Sequence, residues 1–213
     1  MRIVVFGATG MVGSRIVAEL ERRGHEVVRA SRSGGTDVTD PDSVASAAAG
    51  ADAVVCAVSA RGVEYTLADV ARSLVDGVRR AGARRVVTVG GTGSLEVAPG
   101  VRYVDTPTFN DEYKPEALQH DAALEVYRGI DDLDWTVVSP AAYIHPGERT
   151  AATASGATGC SSTPAATARS APRTMRLPSL TSWSRTGTRA SESASPGDPA
   201  AATGARTCPA RRA

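Results

Sequence analysis

Five short runs of β-branched and apolar residues punctuate the first 140 positions, at 2–6, 26–30, 53–58, 85–89 and 135–139. Between them, apolar residues recur every three or four positions, the spacing of amphipathic helices. Val12, Ile16, Val17 and Leu20 mark a helix over 12–23, closed by Gly24-His25. Asp37-Val38-Thr39-Asp40-Pro41 has the chemistry of a helix start, because Thr39 or Asp40 can cap and Pro41 suits the first helical position. That short helix ends near Ala49. Leu67, Val70, Ala71, Leu74 and Val78 share one face of a helix over 67–81, and 115–127 reads as another. Strands alternating with helices predict an α/β fold, a Rossmann-like doubly wound parallel sheet with right-handed crossovers. The expected strand order is 3-2-1-4-5, with a ligand crevice at the carboxyl ends of strands one and four.

The first strand runs straight into Gly7-Ala8-Thr9-Gly10-Met11-Val12-Gly13, and a helix follows. Gly7 allows a sharp turn out of the strand. Gly10 lets backbone approach a pyrophosphate, and Gly13 lets the helix lie close to the sheet. Phosphates would then meet the free N–H groups and positive dipole end of that helix. The spacing G-x-x-G-x-x-G differs from the commoner G-x-G-x-x-G, but the flanking strand and helix supply the context the motif needs. Gly7, Thr9, Gly10, Met11, Val12 and Gly13 are therefore candidate cofactor contacts. The competing reading is a plain strand–turn–helix without a ligand.

Composition adds a boundary. Residues 1–150 carry 16 Lys+Arg against 21 Asp+Glu, whereas 151–213 carry 8 arginines and 2 acids. The latter stretch has no Val, Ile, Phe, Tyr, Lys, Asn, Gln or His, and its apolar anchors are few: Met175, Leu177, Leu180 and Trp183. Such a segment cannot bury enough apolar area to offset its ordering entropy, so a disordered tail is expected after a nucleotide-binding domain over 1–150. The scattered arginines lack interleaved aromatics, and no nucleic-acid partner is expected. The tail also carries the pattern of an out-of-frame translation. Read from the third base of each codon, with permitted codon choices, 169–185 becomes ISAEDYAVALVDELE, an amphipathic helix with an N-terminal cap. Such a shift near Thr150 would make the tail the remnant of a substrate-side region.

Cys56, Cys160 and Cys208 show neither paired nor metal-like spacing, and Cys56 falls in an apolar run that makes it a core thiol. There is no signal-peptide pattern and no apolar run of membrane-spanning length, so the expected location is cytoplasmic, as monomer or homodimer.

At the end of strand two stands Val27-Val28-Arg29-Ala30-Ser31-Arg32-Ser33, with no carboxylate to take ribose hydroxyls. Ser31 and Arg32, with help from Arg29, can meet a 2′-phosphate, so NADP(H) is favoured over NAD(H). A solvated basic loop is the alternative. Asp37 and Val38 stand where the next loop would pass the adenine. Asp37 could accept from the adenine amino group or serve only as a turn residue. Ala57 and Val58 end strand three on the expected adenosine path.

With these residues placed, the chain resembles the short-chain dehydrogenase/reductase superfamily. Within it, the chain is similar to the atypical NAD(P)H-binding reductases close to flavin reductase/biliverdin reductase B and to the NmrA-like proteins. The resemblance covers about 1–150 and rests on GATGMVGSRI, DVTDPDSV, RRVVTVGGTGSL, EALQHDAALEVYR and DWTVVSPAAYIHPGERT. It implies a substrate-binding hydroxyl after strand four, at Thr92 or Ser94, and a nicotinamide contact at Pro140 and Ala141. The usual Tyr-x-x-x-Lys pair is missing: the only lysine is Lys114, and position 110 is Asn. Candidate catalytic residues are therefore Ser94, Tyr113, which precedes a helix near the same edge, and His120 as a general acid titrating near neutrality. For His120 the alternative is a packing histidine, and His145 reads as structural. The expected function is hydride transfer from NADPH to a small aromatic, flavin or quinone-like acceptor, which asks little acid–base help of the protein. The alternatives are a non-catalytic NADP-binding redox sensor of the NmrA-like kind and an inactive truncated product.

Overall fold

A computed structural model of the chain describes residues 1–144 and 147. The expected disordered tail, the frame shift near Thr150 and His145 lie outside the described residues. Within them, the elements alternate as the pattern predicts. Strand β1 is Arg2–Phe6, followed by α1 (Gly13–Arg22), β2 (Glu26–Ala30), α2 (Pro41–Ala48) and β3 (Ala53–Cys56). Then come α3 (Leu67–Arg80), β4 (Arg85–Val89), a small hairpin of β5 (Glu96–Ala98) and β6 (Val101–Arg102), α4 (Lys114–Arg128) and β7 (Asp134–Val138).

Strands β2-β1-β3-β4-β7 form one five-stranded sheet in that order, with every pairing parallel. A parallel sheet is buried on both faces, which is why its strands read as continuous apolar runs. Along β1, Val4 and Phe6 face a core shared with α2, α3 and α4, while Ile3 and Val5 face Ile16, Val17 and Leu20 of α1. The period-two alternation of a strand thus divides one apolar run between two cores.

The doubly wound class stands, but the strand order 3-2-1-4-5 is corrected to 2-1-3-4-5 in strands counted along this sheet. The expected order put 53–58 outside strand two. Instead Ala53–Cys56 pairs directly with β1 on the side away from β2. Among the described residues no strand pairs with the outer edge of β2, and the chain bends after it. The Asp37 carboxylate accepts from both the N–H and the hydroxyl of Thr39, at 2.8 and 2.7 Å, and the Asp37 N–H donates to Ser43 Oγ at 2.9 Å. That side-chain turn competes with strand pairing. The chain therefore reverses direction across the sheet between β1 and β3, and a ligand crevice of this architecture opens there.

Helix starts are built unequally. The Asp40 side chain caps α2 through the N–H groups of Asp42 and Ser43, with Pro41 entering as expected. Thr66 and Asp69 form a reciprocal capping box on α3. At α1 the capping position is Val12, with no side-chain cap and no acid in the first turn.

Candidate functional site

The turn from β1 into α1 is made by backbone packed against backbone. Gly7 has φ of +76°, a conformation that side chains rarely adopt, and a Cβ there would lie 2.6 Å from Ala57 O. A Cβ on Gly13 would lie 2.0 Å from Gly7 O. Only glycine lets α1 begin this close to the strand end. Gly10 donates its N–H to Gly7 O at 3.0 Å, closing the turn. The N–H groups of Ser14 and Arg15 are taken by Gly10 O and Val12 O, at 3.0 and 3.1 Å. The unmatched donors at the helix mouth are then those of Met11, Val12 and Gly13, the first groups that an α-helix cannot satisfy internally. Without a capping side chain or an acid beside it, this mouth keeps its positive partial charge for an outside anion. The residues present thus fit a pyrophosphate.

The structure brings other predicted residues to the same end of the sheet. Ala57 and Val58 press their backbone against Gly7. Ser31 and Arg32 stand in a short 3₁₀ turn after β2, where Ser31 Oγ accepts from the Gly34 N–H at 3.2 Å. The Arg32 guanidinium lies over the Tyr65 ring, its carbon 5.9 Å from the ring centre, at cation–π range. Arg29, expected to help, is engaged elsewhere: its guanidinium donates to Glu21 of α1 at 2.6 Å. Asp37 serves as the turn residue described above. The two Thr39 hydrogen bonds hold its carboxyl below the usual carboxylate range. Val38 is buried in the core with Phe6, Ala30 and Val44, so only its backbone is available to a ligand.

The other half of the candidate site lies after β4. Thr92–Ser94 forms a 3₁₀ turn. The Thr92 hydroxyl donates to Pro140 O at 3.2 Å, tying the β4 loop to the loop after β7, and the Ser94 hydroxyl donates to Gly91 O at 3.2 Å. A Cβ on Gly91 would stand 2.9 to 3.1 Å from three atoms of His120, so the imidazole lies directly on that turn. Ser94 and His120 therefore meet at Gly91. Burial pushes the His120 pKa below its ordinary value; Glu116 one turn earlier opposes the shift, and Arg61 adds to it. The imidazole is neutral near pH 7 and can accept or relay a proton.

Tyr113 is not drawn into this group. Its ring stands half exposed, edge-on to Tyr143 at 6.2 Å. It lines an open cavity of about 280 Å³ with Arg61, Glu112, Glu116 and Gln119. Arg61 pairs with Glu116 across that cavity. Gln119 accepts from the Leu67 N–H at 3.2 Å, fixing α4 against the start of α3. Sequence patterning gave no signal for Arg61, Tyr65 or Glu116, because each acts through a partner distant along the chain.

A parallel doubly wound sheet whose glycine turn and uncapped helix meet at the strand reversal defines a nucleotide-binding protein. Residues 7–170 match the family described as NAD(P)H-binding. The uncharacterized protein YwnB of Bacillus subtilis (strain 168) is 36% identical over 164 residues, 70% of this chain and 76% of that protein. A candidate exported protein from Burkholderia pseudomallei is similar in structure, with a TM-score of 0.68 and 47% identity over 75% of this chain and 81% of that one. A candidate epimerase from Bacteroides thetaiotaomicron gives 0.61 and 31%, over 70% and 74% of the two chains. A candidate NADH-flavin reductase from Streptococcus pneumoniae TIGR4 gives 0.54 and 30%, over 67% and 72%. The chain belongs to the NAD(P)H-binding family of atypical short-chain dehydrogenase/reductases. No helix among the described residues is long and apolar enough to cross a membrane.

Proposed function

We propose that the chain is an NADPH-dependent reductase that delivers hydride to a flat acceptor of the flavin or quinone kind. One observation carries this reading. The crevice has a complete phosphate cradle at Gly7–Gly13, yet among the described residues its acceptor side offers the Ser94 hydroxyl and a neutral His120 imidazole in place of a Tyr–Lys pair. Bound NADPH would supply the hydride, two electrons and a proton equivalent, and would leave as NADP⁺. The protein's part is to hold the pyrophosphate on α1, keep the acceptor against the β4 and β7 loops, and shield both from water. A flavin or quinone takes its remaining proton readily from solvent, directly or relayed through the neutral His120 imidazole, which gains one proton as it passes one on. The preference for NADPH is supported by the end of β2, where no carboxylate stands and Arg32 does. The NADH-flavin reductase likeness supports the acceptor class.

The test follows nicotinamide oxidation under single and multiple turnover with FMN and with a soluble benzoquinone. NADPH oxidation stimulated by acceptor is expected, slower with NADH. Tight NADPH binding with no turnover on either acceptor would refute the reductase reading and leave a redox-sensing binder.

A further inference from the structure

The contact between Arg32 and Tyr65 joins two loops that the sheet keeps apart. Arg32 follows β2, and Tyr65 stands in the loop between β3 and α3. β2 and β3 are not neighbours, since each pairs with β1 from its own side. Adjacent strands lie about 4.7–4.9 Å apart, so the ends of β2 and β3 are separated by roughly 10 Å. The guanidinium carbon of Arg32 is nevertheless 5.9 Å from the centre of the Tyr65 ring. The pair therefore spans the carboxyl end of β1, where the glycine turn begins.

Tyr65 is anchored on its own side. Its hydroxyl donates to Ser59 O at 3.4 Å, its ring packs against the core that holds Phe6 and Val38, and the next residue, Thr66, caps α3. Arg32 carries no ion-pair partner among the described residues, whereas Arg29 beside it is bound to Glu21. The ring and the nearby charge of Asp37 are thus what bears on Arg32, the basic group at this end of β2 that is left for a ligand. A flat guanidinium suits an aromatic face and keeps its edge donors free while stacked.

We infer that Tyr65 is a positioning residue whose ring holds the Arg32 guanidinium at the end of β2, beside the phosphate cradle, where it meets the 2′-phosphate of NADPH. This rests on the NADPH preference proposed above. A guanidinium already held in place loses less side-chain freedom on binding than one ranging through solvent.

The test uses the two adenosine-end fragments, 2′,5′-ADP and 5′-AMP, titrated calorimetrically into the full chain. The readout is the ratio of their affinities, which reports recognition of the 2′-phosphate without turnover. In the native protein 2′,5′-ADP binds more tightly. Arg32→Ala removes most of that discrimination. Tyr65→Leu, which keeps an apolar group on the core, reduces it by roughly 2- to 5-fold, the size of an exposed cation–π contact. Tyr65→Phe keeps the ring and keeps the ratio. Tyr65→Met, a second apolar replacement without a ring, falls with Tyr65→Leu, so the contact is read even if Tyr65→Leu fails to fold. Loss of discrimination in Arg32→Ala with none in Tyr65→Leu or Tyr65→Met would overturn the role of Tyr65 and leave the NADPH preference standing. An equal loss in Tyr65→Phe would also overturn it. No discrimination in the native protein, or none lost in Arg32→Ala, would refute the NADPH preference itself.

Discussion

Single residues set the terms at the mouth of α1. Gly13 is the tightest of them, because a methyl group there would fall 2.0 Å from a backbone oxygen that has nowhere to go. Gly13→Ala is expected to force α1 away from β1. The unfolding free energy should drop by about 1–3 kcal/mol, as for other overpacked sites, and NADPH affinity should fall with it. Urea melts and a binding titration check the two effects separately. His120 gives a pH signature of a different kind. Burial lowers its pKa in the folded state, so between that value and the ordinary 6.5 the unfolded chain holds the extra proton. Stability is then fully present above 6.5 and declines as pH falls through it. His120→Asn should flatten part of the decline between about pH 7 and 5. His25 shifts downward too, chiefly through desolvation, so His25→Asn is the control. Asp37, Asp69, Asp105 and Asp132, whose hydrogen bonds hold them below the carboxylate value of 3.8, lose their contribution only at more acid pH. A decline unchanged in His120→Asn would contradict the buried, neutral imidazole.

Among the elements, α1 is distinguished by what its start lacks. α2 and α3 satisfy their first N–H groups with their own side chains, and α1 does not. An acid placed there should please the free protein and offend an anionic ligand. Met11→Asp, at an exposed position beside the mouth, is expected to leave the melting temperature unchanged or raise it slightly through the helix dipole. NADPH affinity should fall by at least about tenfold, from like-charge repulsion at a site built for phosphate. Equal affinity in Met11→Asp would place the pyrophosphate elsewhere.

The elements themselves were largely legible in the chain. Periodicity locates each of the five sheet strands and four helices to within about two residues, because burial on two faces writes itself into local pattern. Strand order was less legible. Pairing is a long-range outcome: strand 53–56 forms as expected but pairs with β1 on the side away from β2. The hairpin of β5 and β6 is short and largely exposed, so it leaves no apolar trace. In the site, the glycine turn was readable because its chemistry is local. The Arg61–Glu116 pair, across 55 residues, was not, and neither was the Arg32–Tyr65 stack.

At the scale of the molecule, three helices cover one face of the sheet and α1 packs on the other. This leaves the carboxyl ends of the sheet strands as the common ground of the candidate residues other than Tyr113. The phosphate cradle sits over β1, Arg32 and Tyr65 close one side, and Ser94 and His120 stand on the β4 side. That division matches a dinucleotide lying across the strand ends, with its adenosine end toward β2 and its reactive end toward β4. The most direct test is calorimetric titration of the full chain with NADPH and with NADH. The account predicts one site per chain and NADPH bound at least about tenfold more tightly, the worth of a charge-assisted hydrogen bond to a 2′-phosphate. Binding of neither nucleotide, or of both with equal affinity, would contradict it.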